Sequence, residues 1–78
     1  MSFYLTDATL TLISELNAGF NPQAIAKTYA LALLSEFAGQ SKPDWSRINT
    51  AIIEKWGLET LERIKIQADK RFFSGMKK

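Results

Sequence analysis

The chain has no cysteine and no histidine among its 78 residues. Without thiols, no disulfide can brace the fold and no thiolate can hold a metal. Without imidazole, the commonest general base and the commonest transition-metal ligand are both missing, which excludes histidine-dependent triads and ordinary zinc sites. Catalysis would fall to carboxylates, lysines or backbone groups. The acids Asp7, Glu15, Glu36, Asp44, Glu54, Glu59, Glu62 and Asp69 form neither an E-x-x-H nor a D-x-D pattern. Nor does a glycine-rich loop open a helix as a phosphate cradle would. The residues therefore predict a protein that is not an enzyme, with no cofactor and no metal.

Long hydrophobic runs are also scarce. The longest uninterrupted one, Tyr29 to Leu34, is far shorter than the ~20 residues of a membrane span. The opening M-S-F-Y-L-T-D lacks the basic start and apolar run of a signal peptide. A cytoplasmic protein with no membrane partner is the expectation. Hydrophobic residues make up 46% and charged residues 23%, enough apolar surface to offset chain entropy and to argue against disorder. A chain this short has one core to share, so residues 1–78 are expected to form a single helical domain. Such a domain buries only about 60% of its unfolded surface and retains about 3–5 kcal/mol of net stability. Self-association would add to that.

What the sequence does contain is helical periodicity, punctuated four times. Over residues 7–18, Leu5, Ala8, Leu12 and Leu16 recur at helical spacing with Thr9 and Ile13 alongside, Thr6 as N-cap and Gly19 as the stop. The F-N-P-Q-A-I stretch is the clearest start signal: Asn21 caps, Pro22 takes the first helical position, and Phe20 is placed to staple onto Ile25. That second helix, 22–38, has almost no continuous polar face and reads as the central one, surrounded by neighbours. A third, 44–56, is capped either by Asp44 or by Ser41 and sets Trp45, Ile48, Ile52, Ile53 and Trp56 against Arg47, Thr50 and Glu54. After Gly57, a fourth over 58–73 places Leu58, Leu61, Ile64, Ala68 and Phe72 on one stripe, supported by the Glu59–Arg63 pair. The fold class is all-α, a compact bundle of four short helices.

Charge is unevenly shared. Residues 1–39 hold Lys27 against Asp7, Glu15 and Glu36, a net of −2, which leaves +4 for the rest of a chain whose total is +2. Arg63, Gln67 and Lys70, with Arg71 beside them, form a candidate contact for nucleic acid or an acidic partner on the outer face of the fourth helix. Bases late in a helix also complement its dipole, which explains them without any partner. The helix-Gly-helix junction at Gly57 does not fit a DNA-binding helix-turn-helix. Ile53 and Arg63 stand where a small and an aliphatic residue would be needed.

Two further features point to surfaces. Asn49 falls on the apolar side of the third helix, where a buried amide must find partners or cost about 1–3 kcal/mol. It is expected to be a structural polar residue, bonding a carbonyl at the end of a neighbouring helix and fixing how helices three and four meet. Alternatively its face is left uncovered and meets a partner. Aromatic residues are many for so short a chain, and Phe72 and Phe73 are adjacent and cannot both face one core. Phe73, with Phe3 or Tyr4, is the expected interface, within the molecule or in a homodimer.

The segment W-S-R-I-N-T-A-I-I-E-K-W-G-L-E-T-L-E-R-I-K-I-Q-A, Trp45 to Ala68, resembles short uncharacterised bacteriophage and prophage proteins in its W-x-x-I-N start and L-x-x-I-K-x-x-A continuation. The resemblance covers less than a third of the chain. It implies a mobile-element accessory protein acting on a host factor. Together these readings predict a non-enzymatic protein-protein interaction module, self-associating as a homodimer. Nucleic-acid binding through the basic face of the C-terminal helix is the alternative.

Overall fold

The computed structural model describes residues 8–76, with side chains from Ala8 to Phe72. It contains α1 (Ala8–Asn17), α2 (Pro22–Phe37), α3 (Trp45–Trp56) and α4 (Leu58–Met76), with no strand among the described residues. This is the expected all-α bundle. The boundaries fall within about a residue of those read from the sequence, except that α4 continues three residues beyond 73 to Met76.

Local chemistry sets these ends. At α2 the Asn21 carboxamide accepts the Ala24 N–H at 2.8 Å, and Pro22 follows where no backbone donor is needed. At α3 the choice between two caps is settled by Asp44, whose carboxylate accepts the Arg47 N–H at 3.1 Å. The Ser41 hydroxyl oxygen is buried and has no hydrogen-bond partner. The expected cap of α1, Thr6, lies outside the described residues, as does Leu5. The two helices α1 and α2 terminate by one device. Beyond α1 the Gly19 N–H donates to Leu16 O and the Phe20 N–H to Glu15 O, and beyond α2 the Gly39 N–H donates to Glu36 O and the Gln40 N–H to Ser35 O. This pairing satisfies last-turn carbonyls and needs a residue at positive φ, which the two glycines supply at 91° and 76°.

Gly57 alone separates α3 from α4. Its N–H donates to Ile53 O at 2.7 Å and closes α3, while its carbonyl accepts the Leu61 N–H at 3.3 Å and opens α4. With φ 102° and ψ 166° it occupies a region essentially reserved for glycine.

The core draws on every helix: Leu12 and Leu16 from α1, Ile25, Ala26, Tyr29, Ala30 and Ala32 from α2, Ile48 and Ile52 from α3, and Leu61, Ile64 and Ala68 from α4. Each fully buried isoleucine contributes about 2 kcal/mol relative to an exposed one. Small residues on α2 and α4 let these two helices pack extensively. They run in the same general direction, since Asn21 and Gln23 neighbour Arg63 and Gln67, and Lys27 neighbours Arg71. Polar ties join the layers. Thr28 donates to Glu15 at 2.6 Å between α2 and α1. The Thr9 hydroxyl, on a buried residue, accepts the Asp44 N–H at 2.8 Å and pins the start of α3 to α1.

Three expectations about the core are corrected. Helix α2 is not enclosed: Leu31 and Phe37 are 61% and 68% exposed, because α1 and α4 cover only part of its circumference. Leu58 belongs to the apolar stripe of α4 by spacing but is exposed, since it stands in the first turn beside Gly57. Ile53, set with the apolar side of the third helix by its spacing, is 38% exposed, because it stands one residue, about 100° of helix, on from the buried Ile52. The two tryptophans are half-buried at the edge of the core. Trp45 packs on Tyr29 with ring centroids 4.8 Å apart and donates its indole N–H to Glu36 at 2.9 Å. The ammonium of Lys55 lies 5.8 Å from the Trp56 ring.

Candidate functional site

Two outward surfaces carry the features that the sequence singled out. One is the far half of α2. Between Lys27 and the end of the helix the exposed positions are Leu31, Glu36 and Phe37, followed by the capping residue Ala38, with Leu34 and Ser35 half-buried. The single charge of this stretch, Glu36, is held by the indole of Trp45. Phe37 meets Phe72 of α4 edge-on, centroids 5.9 Å apart and planes at 83°, so the apolar surface continues from α2 onto α4. Edge-to-face rings of this kind favour each other by about 0.5–1.5 kcal/mol beyond their burial. The residues expected at an interface, Phe3 and Tyr4, lie outside the described residues, and so does the side chain of Phe73.

The second surface is the groove between the first half of α2 and the middle of α4. Of the expected basic face, Arg63, Gln67 and Arg71 line it, and they meet Asn21, Gln23 and Lys27 from α2. Lys70 is exposed but does not line this groove, because one residue turns a helix by about 100°. No acidic side chain lines it. Arg63 forms an ion pair with Glu59 at 3.2 Å, one turn away, but both groups are largely exposed and such pairs hold weakly in water. The contribution of α2 to this groove was missed by reading α4 alone. A usable signal was present: Gln23 and Lys27, four apart, fall on one side of α2.

Asn49 is half-buried on α3 and accepts a hydrogen bond from the Tyr29 hydroxyl at 2.8 Å. Its partner is therefore a side chain of α2, rather than a carbonyl at a helix end, and the tie it makes joins α3 to α2. Burial pushes the Tyr29 hydroxyl up from 10.0 to about 12, and the negative charges of Asp69 and Glu62 act in the same direction. A phenol so placed stays protonated and serves as a donor.

Among the described residues no group of three or more acids could hold a metal ion. No helix among them is long and apolar enough to cross a membrane. Compared with family models, with curated proteins and with solved structures, the chain matches none.

Proposed function

We propose that this chain is a non-enzymatic protein-protein interaction module that works in the cytoplasm and associates with a second copy of itself through the outer face of α2. The observation that carries this reading is the exposure of Leu31 and Phe37 on a stretch of α2 whose one charge, Glu36, accepts a hydrogen bond from Trp45, continued onto α4 by the Phe37–Phe72 pair. Exposed apolar residues gathered on one side mark an interaction surface, whereas scattered ones need no explanation. A second copy suits this strip because an isologous contact sets a surface against itself, and a mainly apolar strip with a single carboxylate brings few like charges together there. A domain with so small a core also gains stability from burying that strip. The resemblance of Trp45 to Ala68 to phage and prophage proteins supports a mobile-element accessory role, in which the dimer acts on a host factor.

Sedimentation velocity over a concentration series tests the reading. The wild type should pass from monomer to dimer, while Leu31→Glu and Phe37→Glu remain monomeric with unchanged helicity by circular dichroism. A wild type that stays monomeric throughout would rule out the self-association.

A second reading, nucleic-acid binding through α4, rests on the meeting of Arg63, Gln67 and Arg71 with Lys27 along one groove. Backbone tracking would show as strong binding at low salt that salt abolishes.

A further inference from the structure

We infer that the groove between α2 and α4 is a docking site for an extended acidic peptide segment. The charged side chains lining the groove are all cationic, with Lys27 on one wall and Arg63 and Arg71 on the other. The ligand's carboxylate displaces Glu59 from its exposed, weak pair with Arg63. Between the charges stand three carboxamides, Asn21, Gln23 and Gln67, which can both donate to and accept from a peptide backbone. Asn21 already uses its carbonyl oxygen to cap α2, so its amide hydrogens remain for a ligand. Ile64, Pro22 and Ala24 supply a narrow apolar floor.

Spacing selects the ligand class. Arg63, Gln67 and Arg71 follow one another at single-turn intervals, so the outer two are about 12 Å apart along α4 at 1.5 Å per residue. An extended peptide rises about 3.3 Å per residue and points alternate side chains to one side, which puts acids four positions apart at about 13 Å. Two carboxylates at that separation meet Arg63 and Arg71, and the residue midway between them meets Gln67. Arginine suits such a role because its fork binds a carboxylate through two parallel hydrogen bonds.

Nucleic acid fits the groove less well. None of the lining residues is aromatic, so single-stranded bases find no ring to stack on. This assignment is independent of the self-association through α2's other half.

The test is fluorescence anisotropy at low salt with a fluorescein-labelled heptapeptide that has glutamates at its second and sixth positions. The wild type should bind it, and the same peptide with glutamines there should not bind. Lys27→Glu and Arg71→Glu should each weaken binding at least about tenfold, a loss of about 1.4 kcal/mol. Lys70→Glu, outside the groove, should change it less than about twofold, the size of a screened long-range charge effect. Circular dichroism of each variant checks the fold, and Arg71→Gln repeats the measurement without charge reversal. An equal loss from Lys70→Glu would overturn the site in favour of undirected charge attraction. Tighter binding of a ten-nucleotide oligothymidylate would replace the peptide with single-stranded nucleic acid. Absence of peptide binding to the wild type would end the proposal.

Discussion

The hydroxyl of Tyr29 donates to the Asn49 carboxamide oxygen at 2.8 Å, joining α2 to α3 beside the Trp45 ring. This one bond gives each of two polar groups inside an apolar setting its partner. It also explains why an amide can sit among Trp45, Ile52 and Trp56 without the cost of an orphaned buried group.

Tyr29→Phe should therefore lower stability by about 1–2 kcal/mol, since it leaves the Asn49 carbonyl without its donor. The check is urea unfolding, in which the midpoint falls and the slope is unchanged. Asn49→Ala should cost a similar amount. Because the two residues share one bond, the double variant should lose less than the sum of the singles.

The same hydroxyl makes stability depend on pH at the alkaline end. Its pKa is about 12 in the folded chain against 10.0 in the unfolded one. Between those values the folded state holds the proton that the unfolded state has released, so stability falls as pH rises. Below pH 10 this contribution is fully present. Wild type should lose on the order of 2 kcal/mol relative to Tyr29→Phe as pH rises from about 10 to about 12. A parallel pH dependence of the two proteins would show that Tyr29 titrates normally.

Ile64 and Trp56 separate core position from side-chain size. Ile64 is 1% exposed, whereas Trp56 is half-buried at the margin. Ile64→Ala should cost about 2–5 kcal/mol through lost burial and the cavity left behind, enough to unfold much of the population. Trp56→Ala, despite the larger truncation, should cost less than Ile64→Ala. Thermal melts followed at 222 nm rank the two.

Gly57→Ala should destabilise the chain by about 1–3 kcal/mol through backbone strain alone. No heavy atom lies within 4 Å of where the new Cβ would stand, so steric crowding contributes nothing. The loss should be the same for Gly57→Ser, which tests that the cause is φ rather than volume.

The helix boundaries were legible because the signals that set them are local. Asn21 with Pro22, Asp44, and the glycines at 19, 39 and 57 act on backbone groups within a turn of themselves. The orientation of α2 was not legible. A helix that is apolar almost all round offers no polar side to mark solvent, and only its neighbours show that Leu31 and Phe37 face outward. Long-range pairings were equally hidden. Nothing near Asn49 in the chain points to Tyr29, and nothing near Arg71 points to Lys27, because both partners are brought up by the packing of α2. Candidate residues on α4 were identified by their charge. Which of them act together, and that Lys70 stands apart, followed only from the second helix beside them.

The single residue between α3 and α4 also bears on the order in which the chain assembles. A connection that short costs little loop-closure entropy, so the α3–α4 corner is a low-cost place for folding to begin. Contacts between α2 and α4 span the whole of α3 and so cost more loop-closure entropy than the corner does. Substitutions at Ala30 or Ala68, in the late-forming seam, would then act mainly by hastening unfolding, while those at Ile52 or Leu61 would slow folding itself. On that order of assembly, the rate of unfolding should respond to the α2–α4 contact, where Ala30 and Ala68 are buried, more than to the α3–α4 corner.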